Sequence, residues 1–179
     1  YYMSSAIPVS YYDRIKGRSS IRFYLGIIIR FINWSRYGIN RTIARLRGAT
    51  IGSNTIIPFK LARIADSSLF IGDDCVIESS DFDLRGEIRI SHHVIINKGV
   101  SIIRASHHID DNCDYSTKYY PPLFISPYSW LATNSCILPS VSNIARGSVI
   151  GAASVIAKDT EEMGVYSGNP ATLLRYHSD

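Results

Sequence analysis

The chain is poor in cysteine, and the three it has, Cys75, Cys113 and Cys136, are too widely spaced to form a CxxC pair. That spacing suggests neither a disulfide framework nor a zinc cluster, and the scarcity points to a reducing, cytoplasmic setting. Long apolar runs are missing too. The longest, Phe23 to Ile29, falls far short of the ~20 residues that a bilayer requires. Arg22 and Arg30 bracket it, and no small-residue cleavage site marks a signal peptide. Acid is nearly absent from the first 50 residues, which hold nine Arg or Lys against Asp13 alone. The rest of the 179-residue chain has ten basic and fourteen acidic residues, net −4. The basic part is also rich in Ile, Phe, Tyr and Trp, so it is not a solvated tail. Its charges are interleaved with bulky aliphatics and match no nucleic-acid module, which argues against nucleic acid as a partner.

What the chain does have is a ladder of branched apolar residues. In the C-terminal half it runs Ile125, Leu131, Ile137, then Ile144, Ile150, Ile156, in steps of six joined by one step of seven. A small or β-branched residue follows each rung by four: Ser129, Ser135, Val141, Ser148, Ser154, Thr160. Upstream the pattern continues through Ile51, Ile57, Ile64, Ile71, Ile77, Leu84, Ile90, Ile96 and Ile102, with Thr55, Ser68, Cys75, Val94 and Val100 as partners. A period of six fits neither a helix nor a lone alternating strand. It is the period of a parallel β-helix, whose short strands form three sides of a prism. An ordinary β-sandwich does not hold such a register over this length.

The spacing predicts a β-helix over residues 48–160, preceded by a basic amphipathic helical segment within 1–47 and followed by a tail, 161–179. Residues from about Ser20 to Arg47 read as one or two helices, with Ser19 or Ser20 to start them and Gly48 to end them. Two roles suit this segment. It packs on the first coil, caps its open edge and points its arginines outward, or it lies on an anionic membrane surface through residues 20–47.

The ladder breaks once, over residues 103–124, too long a stretch for a coil corner and therefore extruded as a loop. Long loops in compact domains are usually functional or disordered. This one carries Tyr115, Tyr119, Tyr120, Pro121, Pro122 and Phe124, and begins with His107 and His108 close behind a rung. A histidine rooted on rigid strands suits general-base work near neutral pH. Asp110 and Asp111 are near enough in sequence to orient an imidazole or hold a substrate hydroxyl. His92 and His93 fall at an exposed corner between Ile90 and Val94, and His177 lies idle in the tail.

The stretch I-G-A-A-S-V-I-A-K-D from Ile150 to Asp159, with G-N-P-A from Gly168 to Ala171 and Arg175, resembles the closing coil of the hexapeptide-repeat acetyltransferases. S-H-H-I-D from Ser106 resembles their catalytic loop, and Y-S-W-L-A from Tyr128 a coil that carries Trp beside the active site. The nearest branch is the sugar O-acetyltransferases, and the resemblance covers about residues 48–175. It implies a left-handed β-helix, against the right-handed rule for crossovers; handedness rests on the resemblance alone. It also implies a homotrimer with active sites between neighbouring prisms, acetyl-CoA as co-substrate, a sugar or glycan acceptor from surface polysaccharide synthesis, and no metal. His107 takes the base position. Trp130, Thr133, Ala152, Lys158 and Arg175 fall on the cofactor side, with the Thr133 backbone N–H as an oxyanion donor and Lys158 and Arg175 as phosphate partners. Asp110 and Tyr119 are placed on the acceptor side. The chain departs from the family at Ala157, Thr172 and the Thr160-Glu161-Glu162 step, and the galactoside enzymes' acceptor-binding Asn has no counterpart after Ile77. Transfer to the amine of an amino sugar and a non-catalytic assembly role remain as alternatives. A zinc hydratase of the same architecture fits less well, because its histidines are not adjacent.

Overall fold

The structure, a computed structural model, describes residues 20–107 and 116–177. Helix α1 (Ser20–Leu46) is a single helix, and it ends where Gly48 takes a φ of +103°. The chain divides into two units at Arg36/Tyr37, so the last turns of α1 belong to the β-helical unit. There follow β1 (Thr50–Ile51), α2 (Phe59–Ile64), β2 (Leu69–Ile71), β3 (Val76–Ile77), β4 (Asp81–Phe82), β5 (Ile88–Ile90), β6 (Ile95–Ile96), β7 (Ser101–Ile102) and β8 (Ser106–His107). Beyond them come β9 (Lys118–Tyr119), β10 (Leu123–Ile125), β11 (Trp130–Leu131), β12 (Cys136–Ile137), β13 (Asn143–Ile144), β14 (Val149–Ile150), β15 (Val155–Ile156), β16 (Gly164–Gly168) and β17 (Ala171–Tyr176).

The strands form the three sides of a left-handed parallel β-helix of about six turns. The first side is β1-β2-β5-β10-β13, the second β3-β6-β11-β14-β16-β17, the third β4-β7-β12-β15. Parallel registers stack rung on rung. Ile51, Ile71, Ile90, Ile125 and Ile144 form one column, and Ile77, Ile96, Leu131, Ile150 and Tyr166 the next. Phe82, Ile102, Ile137 and Ile156 form the third. Each such buried side chain contributes roughly 1.5–3 kcal/mol of hydrophobic stabilisation. Most residues four after the rungs are buried at the corners, and several of the hydroxyl-bearing ones satisfy backbone there. Thr55 Oγ1 donates to Gly72 O (2.6 Å), Ser129 Oγ to Ala145 O (3.1 Å), and Thr160 Oγ1 accepts the Ala145 N–H (2.8 Å).

The upstream ladder differs in two places. Ile64 is not a rung: α2 replaces the third side of the first coil, burying Leu61 and Ala62 and leaving Ile64 43% exposed. Phe82 is the buried rung instead of Leu84, because the step after Ile77 is five. The strand after the break resumes at Leu123, so Leu123 and Phe124 lie in β10 and not in the loop.

Both ends of the prism are closed. At the first coil Asn40 Nδ2 donates to Ile57 O (2.9 Å), Arg41 Nη1 to Thr55 O (3.1 Å) and Arg45 Nε to Ile51 O (2.9 Å). Just past the helix, Arg47 Nε donates to Ala65 O (3.1 Å). The capping role thus holds for the end of α1, but these arginines turn onto open carbonyls and not outward. Ser19 lies outside the described residues. At the other end residues 164–176 are no tail: β16 extends the second side and β17 folds back antiparallel upon it. His177 is not idle, since its Nε2 bonds Gly147 O (2.7 Å) and its N–H donates to Met163 O (2.9 Å).

Candidate active site

His107 stands four residues beyond Ile103, in β8, the first leg of a small antiparallel ribbon. It pairs with Lys118 of β9, and Ser106 pairs with Tyr119. Its side chain is exposed. The ribbon leaves the prism at the corner between the third and first sides. Asp110, with His108, Asp111, Cys113 and Tyr115, lies outside the described residues. Tyr119 and Tyr120 are partly exposed on the returning leg, and Arg85 lies over the Tyr120 ring at 5.3 Å.

The stem of this ribbon is tied down by two charged residues that composition alone does not single out. Asp83 Oδ2 accepts the N–H groups of Arg104 (3.2 Å) and Ala105 (2.8 Å), and Oδ1 accepts Arg85 Nε (2.7 Å). The Arg85 hydrogen bond, with help from those backbone donors, holds the Asp83 carboxyl at about 2, below its ordinary 3.8. Arg104 is completely buried. Burial pulls its pKa below the ordinary arginine value, and Asp83 and Asp159 oppose that pull.

The expected cofactor residues fall in three places. Trp130, Val149, Val165 and Arg175 are successive register partners across β11, β14, β16 and β17. Direct partners share a face, so Trp130 and Arg175 stand on the same outer face of the second side. Trp130 is held there by Nε1–H donating to Asn97 Oδ1 (2.6 Å), while Asn97 Nδ2 donates to Glu78 Oε2 (3.2 Å). Asn97 and Glu78 follow no motif in the sequence; the stacking of the coils brings them beside Trp130. Thr133 and Ala152 lie one above the other at the corner between the second and third sides, where the Ala153 N–H donates to Thr133 O (3.0 Å). Both are exposed. Lys158 lies beyond β15, at the other edge of the third side. It lines a groove of about 380 Å³ with Ala157, Asp159 and the turn from Pro170 to Leu173, a groove that Arg175 does not line. The two expected phosphate partners are therefore on different surfaces.

Within one chain, then, His107 and the Thr133–Ala152 ridge occupy different corners, with the width of the third side between them. Among the described residues, no group of three His, Cys, Asp or Glu is placed to hold a metal ion. No helix among them is long and apolar enough to cross a membrane.

No family model matches the chain. It is 33% identical over 141 residues to WcaF of Escherichia coli strain K12, which bears the name of a colanic acid biosynthesis acetyltransferase. That match covers 74% of this chain and 72% of the relative. Among solved structures, a hexapeptide-repeat acetyltransferase of Vibrio cholerae complexed with acetyl coenzyme A superposes with a TM-score of 0.53 at 25% identity, over 74% of this chain and 62% of that one. A maltose O-acetyltransferase of Clostridium difficile 630 gives 0.52 at 26% identity, over 74% and 60%. The chain thus spans a little under two thirds of the length of these two solved relatives. With the stacked six-residue coils, the ribbon-borne histidine and this kinship, the chain belongs to the hexapeptide-repeat acetyltransferases.

Proposed function

We propose that the protein transfers the acetyl group of acetyl-CoA to a hydroxyl of a sugar or glycan destined for surface polysaccharide, with His107 as general base. The observation that carries this reading is the position of His107 on a ribbon that rises where the ladder breaks. The sugar class is supported by the kinship to proteins named for colanic acid and maltose acetylation. The neutral imidazole takes the hydroxyl proton as the oxygen attacks the thioester carbonyl. The C–S bond then breaks, and the proton passes to the CoA sulfur. The products are the O-acetyl ester and free CoA thiol. General-base help of this kind is worth typically 10²–10⁴ in rate.

The pantetheine arm runs along the Thr133–Ala152 ridge, with Trp130 beside it, the Thr133 N–H facing the oxyanion and Arg175 of the same chain on the phosphates, while Lys158, at the His107 corner, reaches them from the neighbouring chain. Asp110 and Tyr119 meet the acceptor. Because the histidine and the ridge sit on different corners, the complete site takes its base from one chain and its ridge from the next, in a homotrimer. Residues 20–36 expose Phe23, Leu25, Ile27, Ile28 and Ile32 among basic residues, which suits contact with the inner face of an anionic membrane from the cytoplasmic side.

The test is a thiol-release assay with acetyl-CoA and a panel of glycan, nucleotide-sugar and amino-sugar acceptors, comparing wild type with His107→Ala. Turnover on a hydroxyl acceptor that falls at least 10²-fold in the variant is expected. Acetylation of amino sugars only would redirect the reading to N-transfer, and absence of turnover on every acceptor would leave the assembly role standing.

A further inference from the structure

The corner that launches the His107 ribbon is short of backbone donors. Pro121 and Pro122 end the returning leg, and Pro139 stands at the same corner one coil below. None has an N–H, so the usual coil-to-coil stitching is interrupted where the chain leaves and re-enters the prism. One side chain takes its place. Arg104 Nε donates to Pro121 O (2.9 Å), and Nη2 to Pro122 O (3.3 Å), Pro139 O (3.1 Å) and Val141 O (3.0 Å). Nη1 donates to Leu138 O (3.3 Å). The guanidinium carries five N–H donors in a fixed fork, and here it faces five carbonyls. Gly86 makes room for it: a Cβ there would stand 2.9 Å from Arg104 Cβ and 3.0 Å from Pro121 O.

A buried cation is an expensive way to fill a corner, since an apolar residue of similar volume usually serves stability as well or better. The buried residues that fill the other corners, such as Thr55, Ser129, Val141 and Ser154, are small or apolar. The expense falls three residues before His107, on the residue whose own N–H is anchored by Asp83. Arg104 thereby joins the outgoing leg, the returning leg and the coil below in one rigid knot.

We propose that Arg104 is a positioning residue for acetyl transfer: by clamping both legs of the ribbon to the next coil it sets the attitude of the His107 imidazole toward the acceptor hydroxyl. This rests on His107 being the base. A displacement of about 1 Å in a reacting group costs on the order of 10²-fold in rate, and a ribbon with one loosened leg moves at least that far.

The experiment is steady-state kinetics on Arg104→Lys, Arg104→Met and Arg104→Ala, with thermal unfolding and acetyl-CoA binding measured on each. The expected result is a kcat reduced about 10²-fold in Met and Ala and less in Lys, because Lys keeps the charge without the fork. The KM for acetyl-CoA stays within about twofold, because the ridge belongs to another corner. Added guanidinium ion restores part of kcat to the Ala variant and none to the Met variant, whose side chain fills the space. Folded Met and Ala variants with kcat near wild type, or losses that follow only the folded fraction, would overturn the proposal. If these variants fail to fold, Gly86→Ala keeps the arginine and displaces it; the same loss of kcat at constant KM is expected, and an unchanged kcat overturns the proposal. His107→Ala run alongside separates the two readings: an active His107→Ala removes the base assignment, whereas an inactive one beside active, folded Arg104 variants removes only the positioning role.

Discussion

Asp83 and Trp130 show how single side chains set the local chemistry. The Asp83 carboxyl titrates at about 2 in the folded chain against an ordinary 3.8, with Arg85 as the first cause. A depressed folded pKa contributes stability that is present above the unfolded value and lost as pH falls through the folded one. Asp83→Asn is therefore expected to lower the unfolding midpoint at pH 7, and the gap to wild type should close between about pH 4 and 2; thermal melts across that range check it. Trp130 is held by Asn97, itself held by Glu78. Asn97→Leu should raise the KM for acetyl-CoA several-fold while leaving the fold intact, with intrinsic tryptophan fluorescence reporting the freed ring. At this scale the rungs and their small partners are legible in the sequence, because nothing but stacked coils keeps Ile125, Leu131 and Ile137 six apart. Arg104 is not legible in that way. An arginine two after a rung reads as surface, and the signal lies elsewhere, in three prolines that gather only once coils 104–122 and 138–141 are stacked.

Among the elements, the coil corners hold most of the sequence's surprises. α2 replaces a whole side of the first coil, a substitution that the six-residue count hides because Ile64 still keeps the spacing while facing solvent. The C-terminal hairpin departs further from the six-residue pattern. Its residues carry no rung spacing, yet β16 extends the second side and Tyr166 stacks beneath Ile150. Rungs deep in the columns should be the most costly to shorten. Ile137→Ala, with Ile102 above and Ile156 below, is expected to lose 2–5 kcal/mol, measured by urea unfolding. Ile64→Ala should cost about 1 kcal/mol or less, because that side chain is 43% exposed and stands in no column.

For the molecule as a whole, the separation between His107 and the Thr133–Ala152 ridge leads to a prediction about assembly. If one chain supplies the base and its neighbour the ridge, two inactive variants can rescue each other. His107→Ala mixed with Ala152→Trp, unfolded and refolded together, should regain about a quarter of wild-type activity, the random share of sites that draw both good halves. Failure of the mixture to exceed its components, with trimers verified by light scattering, would assign the whole site to one chain. The β-helical unit also begins at Tyr37 and contains its own cap on the first coil. A chain lacking residues 1–36 should accordingly keep its cooperative melt, and any loss of vesicle binding on its removal would locate membrane contact in the discarded segment.

Parallel register gives this protein an unusual kind of ruler. Along the prism, distance comes only in whole coils, each about 4.8 Å deep, and every outward residue has a counterpart directly above and below. The gap between the ribbon and the G-N-P-A hairpin is thus an integer. On the proposed reading, the wall can lengthen or shorten only by a complete turn, whereas the ribbon can change residue by residue.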